Sequence, residues 1–133
     1  MPGYSGTPLP KKLGIKDSFQ VCLIDAPSDV IAELKPSLEK CEFAANKSPL
    51  DFALLFSKSA KALKKDFSAT AKRLAPAGML WVSWPKKSSG VPTDLNENIV
   101  RNIGLAAGLV DVKVCAVTDV WSGLKFVRRL KDR

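Results

Sequence analysis

The sequence predicts an α/β domain of three layers, with helices on both faces of a mostly parallel sheet that ends in an antiparallel strand pair. The observations behind this are few. Short apolar runs alternate with segments of helical spacing, Pro and Gly punctuate the junctions, and the last two apolar runs lie too close together for a helical crossover. With 133 residues, 46% hydrophobic and 26% charged, the chain suits one packed domain and is too apolar to stay disordered.

Residues 2 to 14 hold Pro2, Gly3, Gly6, Pro8, Pro10 and Gly14, so residues 1–18 read as an extended arm and 19–133 as the domain. Phe19 to Asp25 is an apolar run with the length of a buried strand, and Ala26-Pro27-Ser28-Asp29 turns it into a helix that Pro36 should halt. Cys41 to Asn46 reads as a short edge strand. Asp51 to Ser57 is a second buried strand, followed by Leu63, Phe67, Thr70 or Ala71, and Leu74 at helical spacing, with Lys61, Lys65 and Lys72 on the other side as a solvated face. Ala75-Pro76-Ala77-Gly78 should end that helix, and Met79 to Trp84 is a third strand closed by Pro85. After a loop from Pro85 to Thr93, Asp94 and Glu97 stand at capping-box spacing before Leu95, Ile99, Ile103 and Ala106, with Gly108 placed to cap the helix end. Val110 to Val117 and Leu124 to Leu130 then pair antiparallel across the short link Thr118 to Gly123.

Composition excludes several chemistries. The chain has no histidine, which rules out a Ser-His-Asp triad, a Cys-His dyad and a His-ligated metal site. Cys22, Cys41 and Cys115 are far apart with no Cys-x-x-Cys spacing, as expected of free thiols in a reducing compartment. No apolar run reaches the roughly 18 residues of a membrane span, and Met1 to Gly6 lacks a basic region followed by an apolar one, so a cytoplasmic protein is expected.

The net charge is +8, and it is uneven: residues 1–66 hold 10 basic and 8 acidic side chains, residues 67–133 hold 11 and 5. Such an excess favours anionic partners, whether a small molecule, a nucleotide, non-specific nucleic acid or an acidic protein. Arg128, Arg129, Lys131 and Arg133 form a basic tail, without any helix-turn-helix or RNA-recognition signature.

The lead Leu74 to Leu80, the helix, the Gly-Leu-Val turn and the closing pair are similar to class I S-adenosylmethionine-dependent methyltransferases. More closely, Tyr4-Ser5-Gly6-Thr7-Pro8-Leu9, Pro85-Lys86-Lys87-Ser88-Ser89-Gly90, Thr93-Asp94-Leu95 and Val120-Trp121-Ser122-Gly123-Leu124-Lys125-Phe126-Val127 resemble a small bacterial family of uncharacterised proteins, domain of unknown function 3052. The resemblance covers nearly the whole chain. It implies a Rossmann-like, methyltransferase-like fold and brings no established activity. In the methyltransferases a Gly-rich turn after the first strand holds the cofactor, because glycine permits close backbone approach. Here that turn is Asp25-Ala26-Pro27-Ser28-Asp29, without glycine, and the acidic residue that holds the ribose in those enzymes has no clear match near Ala44-Ala45-Asn46.

In open α/β sheets ligands bind at the carboxyl ends of the strands. The candidate site is therefore the loop after Trp84, where Lys86 and Lys87 bring charge, Ser88 and Ser89 hydroxyls, and Gly90 an open backbone. Asp25, at the end of the first strand, is placed as an acid or acceptor, and Trp121 as a bordering aromatic or a shield for the sheet edge. No residue is assigned a catalytic role and no cofactor or metal is expected. The sequence thus predicts a non-catalytic, methyltransferase-like module for an anionic or nucleotide-type ligand. Two alternatives stand beside it: a methyltransferase with a degenerate cofactor turn, and a basic adaptor for nucleic acid or an acidic protein.

Overall fold

The computed structural model describes residues 7–45 and 48–133. Six strands form one sheet: β1 (Gln20–Ile24), β2 (Glu42–Phe43), β3 (Leu50–Phe56), β4 (Leu74–Pro85), β5 (Leu109–Ala116) and β6 (Trp121–Arg128), in the order β2-β1-β3-β4-β6-β5. β1 pairs parallel with β2 and β3, and β3 with β4, while β6 is antiparallel to both β4 and β5. The fold class is the one the alternation of runs predicts. Of the expected edge strand, only Glu42–Phe43 pairs, and Asn46 lies outside the described residues.

Helices α1 (Leu9–Leu13) and α2 (Ser28–Leu38) cover one face, where Leu9, Leu13, Val30 and Leu34 pack on Phe52, Leu54 and Trp81. On the opposite face α3 (Ala60–Ala71) and α4 (Glu97–Ala106) bring Leu63, Phe67, Val100 and Ile103 onto Leu55, Leu80, Val82 and Phe126. Central β3 is buried from both sides, which is why Phe52 to Phe56 are continuously apolar rather than alternating.

Four local readings change, each for a physical reason. Pro8 to Gly14, expected to be extended, contains α1: Pro10 occupies the first turn, where a missing N–H costs nothing, and Gly14 ends the helix at φ 86°. The proline-rich segment is thus helix-compatible, and burial of Leu9 and Leu13 makes it stable. Pro36 does not halt α2, which continues to Leu38. The carbonyl it deprives of a partner belongs to exposed Ala32 and faces water, while buried Leu38 rewards the extra turn.

Leu74 extends the apolar stripe of α3 in sequence, yet it is the first residue of β4, pairing with Leu50. From there a step of two residues on β3, Leu50 to Phe52, faces a step of five on β4, Leu74 to Met79, so Ala75 to Ala77 bulge out. Gly78 closes the bulge because a Cβ there would lie 2.3 Å from the Leu50 carbonyl oxygen.

Finally, Asp94 does not cap α4. Its Oδ1 accepts from the Ala60 N–H at 2.8 Å, at the start of α3, and Asn96 caps α4 by accepting from the Ile99 N–H at 2.9 Å. Glu97 instead pairs with Arg101 at 2.6 Å, one turn on. The expected stripe also shifts, with Val100 and Gly104 buried and Ala106 exposed. Asn96→Ala should therefore lower stability by about 1 kcal/mol, whereas Glu97→Ala should cost less than about half of that, since the pair is exposed. Chemical denaturation of the two variants measures the difference, and equal losses would overturn Asn96 as the cap.

Candidate functional site

β1 leads to its neighbour β2 on one side and the chain then crosses to β3 on the other, so the order reverses between β1 and β3. A cleft opens beyond the carboxyl ends of these strands, the expected place for a ligand in an open α/β sheet. It encloses about 550 Å³ and is lined by Asp25, Pro27, Ser57, Lys58, Asp66 and Trp121, among others. Phe56, the last residue of β3, forms its floor and meets the Trp121 ring edge-on at 5.0 Å and 78°. The aromatic wall is thus made by β3 and β6 together. Trp121 is half-buried: it packs on the sheet and borders this cleft.

Asp25 is exposed at φ 57°, a left-handed conformation that Asp tolerates better than most residues but that glycine adopts freely. It places a carboxylate at the mouth of the cleft at the expense of backbone strain, a combination that concentrates at functional positions. The turn beyond it is poor in donors. Pro27, the N-cap of α2, has no N–H, and the Val30 N–H is taken by Asp29 Oδ1 at 3.0 Å. Across the cleft, Ser59 caps α3, its Oγ accepting from the Ala62 N–H at 3.3 Å, while the Ser57 hydroxyl donates to the Ser59 carbonyl at 3.0 Å.

A second cleft, of about 650 Å³, lies beyond the end of β4 and is lined by Lys86, Lys87, Gly90, Asn96 and Ser122, among others. Lys87–Ser89 form one 3-10 turn, ended by Gly90 at φ 76°. Ser89 braces this loop, its Oγ donating to the Lys86 carbonyl at 2.6 Å and accepting from the Val91 N–H at 3.2 Å. Ser88 and Lys87 are exposed and Lys86 is half-buried. The two clefts adjoin through the sheet itself: Pro85 is the register partner of Trp121, and the Lys86 N–H donates to the Val120 carbonyl at 2.7 Å.

The predicted residues therefore separate: Asp25 and Trp121 line the first cleft and Lys86, Lys87 and Gly90 the second, while Ser88 and Ser89 line neither, Ser88 being exposed and Ser89 bracing the loop. Sequence reasoning missed Ser57, Lys58, Ser59 and Asp66. Their signal was positional, because a Ser-Lys-Ser run directly after a buried strand marks a carboxyl end as clearly as Asp25 does. The basic tail is in part structural: the Arg128 guanidinium donates to the carbonyls of Ala71, at 3.0 Å, and Leu74, at 2.6 Å, tying β6 to the end of α3. No group of His, Cys, Asp and Glu suited to a metal ion exists among the described residues, and no helix among them is long and apolar enough to cross a membrane.

A six-stranded, mostly parallel sheet closed by an antiparallel pair defines a Rossmann-like α/β domain of the methyltransferase type. Solved structures bear this out. The magnesium protoporphyrin IX methyltransferase of Synechocystis PCC 6803, with bound SAH, matches with a TM-score of 0.58 at 12% identity, over 85% of this chain and 75% of that one. A methyltransferase of Thermoplasma acidophilum gives 0.59 at 8% identity over 93% and 75%, and a SAM-dependent methyltransferase of Aquifex aeolicus gives 0.57 at 16% over 87% and 85%. At such identities the likeness is one of fold. No family model matches the sequence, and neither does any curated protein.

Proposed function

We propose that the protein is a non-catalytic, methyltransferase-like module of the small bacterial family its motifs resemble, acting in the cytoplasm, and that it binds a nucleotide across the carboxyl ends of β1, β3 and β4. The carrying observation is the pair of adjoining clefts with unlike chemistry. The first offers an aromatic surface in Trp121 and Phe56 for a base, with the Asp25 carboxylate as acceptor for sugar hydroxyls; the second offers Lys86 and Lys87 for phosphates. A donor-poor turn at Pro27 and Asp29 weighs against the cofactor of the related enzymes. One observation favours the enzyme reading instead: Asp25 and Asp66 line the first cleft, and two carboxylates suit a cationic sulfonium.

Calorimetry with ATP and with S-adenosylmethionine separates the two. ATP should bind saturably, one to one, and Lys86→Ala with Lys87→Ala should weaken it by about tenfold or more while leaving unliganded stability within about half a kcal/mol. Asp25→Gly should keep or raise stability, by up to about 1 kcal/mol, and still lose nucleotide affinity. A one-to-one isotherm with S-adenosylmethionine, and none with ATP, would replace the module by an enzyme.

A further inference from the structure

The face of the sheet covered by α1 carries a concentration of lysines that the nucleotide clefts do not use. Trp81, Lys125 and Lys113 are register partners in one row across β4, β6 and β5. Trp81 reaches α1, its indole N–H donating to the Leu13 carbonyl at 2.8 Å, so the two lysines of the row rise toward α1 as well. Lys113 Nζ donates to the Lys12 carbonyl at 3.2 Å, and Lys12 Nζ donates to the Ala116 carbonyl at 2.9 Å. Lys12 is only 9% exposed. Lys11, exposed, stands beside it on the same short helix.

Between α1 and the end of β5 these residues enclose a cleft of about 450 Å³, lined by Lys11, Lys12, Lys113, Thr7 and Cys115, with no carboxylate among the described residues of its wall. The ion pairs among the described residues are both made by Arg101, on the other side of the sheet, so neither Lys113 nor Lys125 has a carboxylate against it. Directly opposed like charges on neighbouring strands are destabilising. The strain shows at Lys125, whose ammonium is held below its ordinary range by burial first and then by the charge of Lys113. At Cys115, which lines the same cleft as Lys12 and Lys113, burial pushes the thiol up while the charges of those two lysines pull the other way. Hydrogen bonds to the Lys12 and Ala116 carbonyls need a donor, and a neutral side chain would supply one without the repulsion.

We propose that this cleft is an anion site, separate from the nucleotide clefts, in which Lys11, Lys12 and Lys113 with the Thr7 hydroxyl take a small phosphate-class oxyanion. Such an ion fits a concave pocket of this size, offsets the charge of the lysines that line it and accepts hydrogen bonds from their ammonium groups. It also seals α1 to β5, since its donors come from both elements. Cys115 reports occupancy, because its thiol lines the same wall, while Cys22 and Cys41 lie elsewhere and serve as internal references.

The test uses the full chain with inorganic phosphate, at ionic strength held constant with sodium chloride. Phosphate should raise the melting temperature saturably, as a ligand of the folded state does. It should also slow iodoacetamide alkylation of Cys115, read by peptide mass spectrometry, with Cys22 and Cys41 unchanged. Lys11→Ala, at an exposed position that leaves the fold intact, should weaken this protection by about tenfold, and adding Lys113→Gln should remove it. Lys86→Ala with Lys87→Ala should leave it in place, so the loop and this cleft are read separately. An alkylation rate that phosphate does not alter, or protection that survives loss of Lys11 and Lys113, would overturn the site. So would protection by a DNA duplex with none by phosphate, which would make the lysines a nucleic-acid surface.

Discussion

Trp81→Ala should lower stability by about 3–5 kcal/mol, enough to unfold much of the population of a domain of ordinary stability. Trp81 is fully buried at the centre of the β4 row, packed under α1 and α2, and its indole N–H is the donor for the Leu13 carbonyl at the end of α1. Removing the ring thus opens a cavity and leaves a buried carbonyl unpaired, two losses that add. Trp81→Phe retains most of the packing and loses only the donor, so it should fall between, at about 1–3 kcal/mol. Urea unfolding followed by circular dichroism gives both values. A loss under about 1 kcal/mol for the alanine variant would mean that α1 does not depend on this residue.

Gly104→Ala should also destabilise, by about 1–3 kcal/mol, and here the sign is the test. In an exposed helix interior the same change stabilises by roughly 0.5–1 kcal/mol. Gly104, however, faces the Phe126 ring: a Cβ would lie 2.0 Å from its nearest carbon. That ring has little room to withdraw, being fully buried and edge-on to Phe67 at 5.1 Å and 84°. The contact sets how closely α4 approaches the sheet. A rise in the unfolding midpoint on Gly104→Ala would show that Phe126 turns aside, and would remove the reason for glycine at this position.

Much of the fold was legible because its signals are local. Apolar runs of strand length at Val21 to Ile24 and Asp51 to Phe56, the helical spacing of Leu63 and Phe67, and Gly108 after α4 all act within a few residues of where they are read. Where two periodicities coincide the sequence misleads: Leu74 continues the stripe of α3, and only its pairing with Leu50 makes it a strand. Capping fails in the same way. Asp94 and Glu97 have the spacing of a capping box, but the Asp94 carboxylate finds the Ala60 N–H, which is remote in sequence and adjacent in space.

The candidate site was legible in part. Asp25, Lys86 and Lys87 stand at strand ends, and the rule that ligands gather there needs only the strand positions. It does not say that Asp25 shares a cleft with Trp121, nor that Lys86 lies next to the Trp121 strand through its bond to Val120. The lysine cleft under α1 had no sequence signal, since Lys11, Lys12 and Lys113 come from opposite ends of the chain and α1 itself was read as an extended arm.

By itself the sequence determined most of the element types after the first helix, the antiparallel closure, and the absence of histidine chemistry, because propensity, loop length and composition are properties of short stretches. Tertiary structure decided the strand order, the course of α1, the division of the predicted residues between two clefts, and the burial of Lys12. Those depend on which remote faces bury one another. Register and packing energies are shared between segments far apart in the chain, so no single segment carries them.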